Sequence, residues 1–166
     1  MPVLLALMIL AAAPDAGSPV VLKLEGGPAK SGALTVKDLQ ELGAVTVDRT
    51  DKTGSHKVTG VRLDRLLARF GYDEGPKGPK ADPKQKHRGL RSVLVATAAD
   101  GYQAVFSVAE VQEELGPTTA LVVWELDGKP LPPAEGPLRI VVSTDKRQTR
   151  SLSQLVSLRL VEIPTP

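Results

Sequence analysis

The 166-residue chain contains no cysteine, and its two methionines, Met1 and Met8, both stand in the first stretch of sequence. Disulfides, thiolate nucleophiles and cysteine-ligated zinc, iron–sulfur or haem centres are therefore excluded. A chain trimmed behind Met8 carries no sulfur at all and resists thiol and thioether oxidation outside the cytoplasm. Aromatic residues are only 3%, too sparse to supply a stacking platform for single-stranded nucleic acid. His56 and His87 are the only histidines; their separation suits neither a zinc site nor a bis-histidine haem, and both read as surface residues. No GxSxG, GxxxxGK[ST] or HExxH pattern occurs. Gly75-Pro76-Lys77-Gly78-Pro79-Lys80 fails as a phosphate loop because its prolines remove amide donors. A net charge of +2 gives no strong overall field and makes no demand for nucleic acid.

What is present begins with an apolar run from Val3 to Ala13. It is shorter than the roughly 20 residues a bilayer span requires, but suits the core of a signal peptide. Ala11-Ala12-Ala13 offers small residues for cleavage, although no Lys or Arg precedes the core and Pro14 follows directly. The alternative, an apolar element of the fold, is set apart from the rest by Pro14, Asp15, Gly17 and Pro19. The organisation read from this is a signal peptide and leader over 1–18, then a single domain over 19–166. Such a protein is periplasmic or secreted, with no membrane span after cleavage. A chain of this length with 42% hydrophobic residues buries a real core.

Three short helices are predicted by their caps. Thr35 caps the first, with Asp38 three residues on, Leu34 and Leu39 as a staple, and Gly43 at its end. The second places Leu63, Leu66, Leu67 and Phe70 on one face, with Arg62, Asp64, Arg65 and Arg69 outward and Gly71 at its end. Ser107 and Glu110 form a capping box for the third, which Gly116-Pro117 is expected to stop. Strands are predicted over Val20–Leu24, Ala44–Asp48, Val93–Ala98, Tyr102–Phe106, Ala120–Leu126, Leu138–Val142 and Val156–Ile163. Asp100-Gly101 makes a hairpin of the third and fourth. The fold class is α+β, a mixed β-sheet or open barrel with short capped helices; the irregular order of elements speaks against a doubly wound nucleotide-binding sheet. Between Gly71 and Val93 lies a Gly/Pro/Lys-rich loop, expected to be mobile. Its 75–91 stretch carries Lys77, Lys80, Lys84, Lys86, Arg88 and Arg91 against Asp82 alone. It reads either as a solvated insertion or as a contact for an anionic partner.

Several ordered motifs carry a resemblance: Thr59-Gly60-Val61-Arg62-Leu63 leading into the Leu-Leu helix, Asp100-Gly101-Tyr102, Leu126-Asp127-Gly128-Lys129-Pro130-Leu131 after the apolar Leu121–Trp124 strand, and Gly136-Pro137-Leu138-Arg139. Together, over roughly 34–163, the chain resembles the oxidoreductase molybdopterin-binding domain of the sulfite oxidase type, in a small stand-alone exported form. The resemblance implies a molybdenum ion held by a pterin dithiolene, one cysteine thiolate completing the ligation, and basic groups on the cofactor phosphate. The thiolate would fall near Val47–Asp51, VDRTD, where Asp48, Arg49, Thr50 and Asp51 offer only hard or cationic groups.

The binding half of such a site can survive without the chemical half. Arg49, Arg139, Lys146, Arg147 and Arg150 are the candidate anion-holding cations, with Ser143, Thr144 and Thr149 as neutral donors. Tyr102 either turns its hydroxyl to a cofactor crevice or packs and reaches backbone. Arg139 opens an apolar strand and requires a partner, Glu135 or a ligand. The other cations serve equally well as a solvated turn. Trp124 belongs to the core, or fills volume a cofactor would use. The leading expectation is a non-catalytic module binding a small anion, a pterin or a partner protein. One alternative is an active molybdopterin oxidoreductase with Asp48 or Asp51 as metal ligand; another is a structural or interaction protein that uses the basic 75–91 loop.

Overall fold

A computed structural model describes residues 19–26, 32–72, 75, 78–80, 82, 86, 88–116 and 118–164. The leader read over 1–18 and most of the Lys-rich part of the 73–87 loop lie outside the described residues. Among the described residues ten strands form two sheets. The first contains β1 (Leu22–Gly26), β2 (Gly32–Leu34), β5 (Ser92–Ala98), β6 (Gln103–Ser107) and β10 (Leu155–Glu162), in the order β2-β1-β10-β5-β6. It is mixed, because β1 runs parallel to β10 while its other pairings are antiparallel. The second, antiparallel sheet has β3 (Val45–Asp51), β4 (Gly54–Arg62) and β7 (Ala120–Leu126) in that order. Both β8 (Lys129–Pro130) and β9 (Arg139–Val142) lie along the far edge of β7. Among the described residues neither sheet closes into a barrel.

Helix α1 (Val36–Glu41) starts where the sequence predicts: Asp38 N–H donates to Thr35 Oγ1, and Asp38 Oδ2 accepts from the Thr35 amide at 2.7 Å. This reciprocal cap holds the Asp38 carboxyl below its ordinary range, chiefly through the Thr35 backbone bond. Helix α2 (Leu63–Arg69) buries Leu63, Leu66 and Leu67, with Phe70 just behind it. Each of these fully buried leucines contributes about 2 kcal/mol over exposure. Helix α3 (Val108–Val111) is capped as expected, the Ser107 amide donating to Glu110 Oε1 at 2.9 Å. It stops at Val111, five residues short of the Gly116-Pro117 signal. Gly116 serves another need, since a Cβ there would lie 2.3 Å from the Glu110 carbonyl oxygen.

The largest departure from the sequence pattern is β4, whose first half carries polar residues and a glycine and shows no strand signal. Its interior hides Val58, Gly60 and Val61. Gly60 sits at the register shift against β7, and a Cβ would fall 2.3 Å from the Val122 carbonyl oxygen, so only glycine permits this approach. Strand β7 is buried on both faces. Val122 and Trp124 enter the main core with α2, Phe106 and Leu158, while Leu121 and Val123 join Val58, Leu131 and Val141 in a second cluster on the opposite face. Trp124 is a core residue, 5% exposed.

Candidate functional site

The second face of the β3-β4-β7-β9 sheet is where the polar candidates collect. Alternation along β3 puts Val45, Val47, Arg49 and Asp51 on the shielded side, leaving Thr46, Asp48 and Thr50 exposed. The ladder sets Arg49 opposite His56 and, further along, Gly60 opposite both Val45 and Val123, with Arg139 on the other side of Val123. Two strands separate β3 from β9, so strand spacing alone would part Arg49 from Arg139 by about 14 Å in a flat sheet. Arg49 nevertheless reaches Gln148 Oε1, beyond the end of β9, at 2.9 Å, and stands within the field of Arg139 and Glu135.

Both arginines are enclosed, with side chains 10% and 6% exposed for Arg49 and Arg139. Arg139 Nη1 donates to Glu135, the partner its position required. Arg49 Nη2 lies 3.1 Å from Asp51 Oδ2. Yet the Nε of each guanidinium is buried with no acceptor among the described residues, an expense usually avoided because an unpaired buried donor costs about 1–3 kcal/mol. Burial, followed by the positive charge of Arg139, pushes the Arg49 guanidinium below its ordinary range; Asp51 and Glu135 oppose that push. Two like charges thus share one shielded neighbourhood with surplus donors.

The remaining candidates divide. Tyr102 is half exposed and its hydroxyl donates to the Thr149 carbonyl at 2.9 Å, so it takes the backbone-bonding option. The short 3₁₀ turn Gln148–Arg150 therefore receives Arg49 from one sheet and Tyr102 from the other. Arg150 belongs to a different arrangement: Nε and Nη2 donate to Asp145 at 2.9 and 2.7 Å, Nη1 to Glu110 at 2.9 Å, and its guanidinium lies 5.2 Å from the Phe106 ring centre. These bonds, Asp145 foremost, raise its pKa above the usual arginine value. Lys146 and Arg147 are exposed and make no ion pair among the described residues. At the base of the basic loop, Arg88 and Arg91 both grip Glu162, the Arg91 Nη2 bond being 3.0 Å, and Arg88 first, then Arg91, holds that carboxyl below its ordinary range.

The sequence profile of the oxidoreductase molybdopterin binding domain matches residues 47–162, from the middle of β3 to the end of β10. The chain belongs to that family. The fold agrees. The crystal structure of the sulfane dehydrogenase SoxCD from Paracoccus pantotrophus superimposes with a TM-score of 0.54 at 17% identity, covering 84% of this chain and 37% of that one. This domain therefore spans little more than a third of that neighbour's length. Comparison with curated proteins gives no match.

Whether the family's metal suits this domain is decided by its donors. Asp48 is 72% exposed on the outer side of β3 and lies 3.2 Å from Lys57 Nζ. Asp51 accepts from the Thr53 amide and hydroxyl and faces Arg49. Among the described residues no three His, Cys, Asp or Glu side chains converge on a point a metal ion could share. With hard, already engaged carboxylates and no sulfur, this donor set does not fit a thiolate-anchored molybdenum. The residue that sequence reading missed is His56. Rather than a surface histidine, it is a residue whose side chain is only 24% exposed and stands between two carboxylates, Nδ1 2.8 Å from Asp127 Oδ2 and Nε2 3.8 Å from Asp51 Oδ1. No pattern in the sequence marks it, because its partners come from two turns far apart in the chain.

Proposed function

We propose that this protein is an exported, non-redox member of the molybdopterin-binding domain family that binds a small oxyanion, free or as the phosphate of a pterin, at Arg49 and Arg139. One observation carries the reading: where a thiolate would stand, β3 turns an arginine inward beside a second buried arginine, and each retains an unused Nε–H. Guanidinium groups present planar, charge-assisted donors that match oxyanions, and in a shielded setting such bonds are about twice as strong as neutral ones. Gln148 and the Arg49–Asp51 contact fix one guanidinium, and Glu135 fixes the other, so little ordering remains to be done on binding. Export is supported by the Val3–Ala13 apolar run and the absence of thiols.

The deciding experiment combines elemental analysis of protein made in a cofactor-competent, exporting host with thermal-shift titration against sulfate, phosphate and a phosphorylated pterin. The reading expects no stoichiometric molybdenum and saturable stabilisation by the anions. Stoichiometric metal lost on Asp48→Ala or Asp51→Ala would establish the carboxylate-ligated oxidoreductase in its place. Absence of any anion effect removes the small-molecule reading.

A further inference from the structure

We propose that His56 is a proton-operated clasp that ties the turn after β3 to the turn after β7 and, through Asp51, sets the charge around Arg49. The argument is a proton inventory. Nδ1 lies 2.8 Å from Asp127 Oδ2, and a carboxylate only accepts, so Nδ1 carries a proton. Nε2 lies 2.9 Å from Thr53 Oγ1. Thr53 has a single hydroxyl proton, and it is given to Asp51 Oδ1 at 2.5 Å. Its oxygen can then only accept from the ring, so Nε2 carries a proton as well. Both nitrogens donate together only in the imidazolium. In the neutral ring either the Thr53 or the Asp127 contact loses its hydrogen, and the link between the turns is cut at that point.

The groups facing the ring are Asp51 and Thr53 from β3 and its turn, Asp127 from the β7–β8 turn and Arg49 across the ladder. Lys129 acts on Asp127 from β8, and Lys57 turns its ammonium away to Asp48. The carboxylates register the arrangement: the His56 bond leads the causes that hold Asp127 below its ordinary range, and the Thr53 hydroxyl leads those for Asp51. Asp127 also accepts from the Lys57 amide at 2.8 Å and holds a left-handed φ of 51°, so its carboxylate is aimed by the backbone. With the ring charged, the cations Arg49, Arg139 and His56 face the carboxylates Asp51, Asp127 and Glu135 in balance. Loss of the proton leaves the carboxylates in excess, and the site repels an anion. This last step rests on the anion-site reading; the clasp itself does not.

The test is a double-mutant cycle of His56→Gln and Asp127→Asn, read by urea unfolding at about pH 5 and about pH 8.5. Asparagine tolerates the left-handed backbone and keeps the acceptor for the Lys57 amide. The coupling between the two substitutions is expected to be about fivefold in the unfolding constant at the lower pH and clearly smaller at the higher, where a neutral ring keeps only one of its two links. Equal coupling at both, or none at either, overturns the clasp. Should a variant fail to fold, nitrogen-edited spectra of the unaltered protein at about pH 5 decide: slowly exchanging protons on both ring nitrogens of one histidine support it, and a protected proton on one nitrogen alone at that pH overturns it. Sulfate, whose charge is constant across this range, probes the second half. Its stabilising effect should fall with rising pH in the wild type and stay level in His56→Gln, and a level wild-type response overturns the coupling to Arg49. If sulfate binds at no pH, the anion reading fails and the cycle alone judges the clasp.

Discussion

Arg150, partly shielded, and the enclosed Arg49–Arg139 pair stand at opposite extremes of how this domain uses a cation. Arg150 gives its donors to Asp145 and Glu110 and covers the Phe106 ring, and its proton is held more tightly than in water. Arg49 is shielded beside another arginine, its proton is held less tightly, and both members of the pair keep an idle Nε–H. In sequence all three are basic residues near strand ends. What separates them is the number of acceptors that the fold brings within reach. An arginine with its acceptors supplied acts as a strut between β6, α3 and the 143–150 segment; arginines short of acceptors keep donors in reserve, and these are the donors the proposed anion site uses.

That contrast can be broken in three ways. The largest effect is expected from Arg150→Ala, which should lower stability by about 2 kcal/mol through loss of charge-assisted bonds and ring contact while leaving sulfate binding unchanged; urea unfolding and thermal-shift titration check both halves. Arg139→Met should do the reverse. Glu135 loses its partner in this variant, but its side chain is a third exposed and stays hydrated, and Arg49 is relieved of a like-charged neighbour, so stability should stay within about 1 kcal/mol while sulfate affinity falls at least about tenfold, equivalent to about 1.4 kcal/mol. Equal loss in both variants would erase the distinction between strut and site. The smallest effect belongs to Asp145→Asn. The Arg150 bond holds the Asp145 carboxyl below its ordinary value of 3.8. A carboxyl depressed in the folded state contributes stability above the unfolded value and loses it as pH falls through the folded one. The wild-type advantage over Asp145→Asn should therefore be full at neutral pH, under about 1 kcal/mol given partial exposure, and vanish in acid below the folded value.

How far the sequence reveals this arrangement varies with the range of the interaction. The α1 cap at Thr35 and Asp38, the α3 cap at Ser107 and Glu110, the apolar face of α2 and the Ala120–Leu126 strand are all legible, because their partners lie within a few residues or follow a fixed period. The Glu135 partner of Arg139, four residues away, is legible for the same reason. Strand β4 is not: its Gly60 makes sense only against the Val122 carbonyl, on a strand some sixty residues later. Nor is His56, whose neighbours Asp51, Thr53 and Asp127 arrive from two hairpin turns. The basic run Lys146, Arg147 and Arg150 misleads by proximity, since Arg150 is already committed and the other two stand in solvent.

The sequence alone determined that no thiolate can anchor a metal here, that the helices begin at their caps, and that strands with a double-sided apolar pattern form the core. Those facts depend on composition, local hydrogen bonds and periodicity, which a linear chain contains in full. Only the tertiary structure decided which cations become struts and which remain with donors to spare. Electrostatics inside a protein depends on distance and shielding, and the packing that carries Arg49 to Gln148 and into the field of Arg139 sets both.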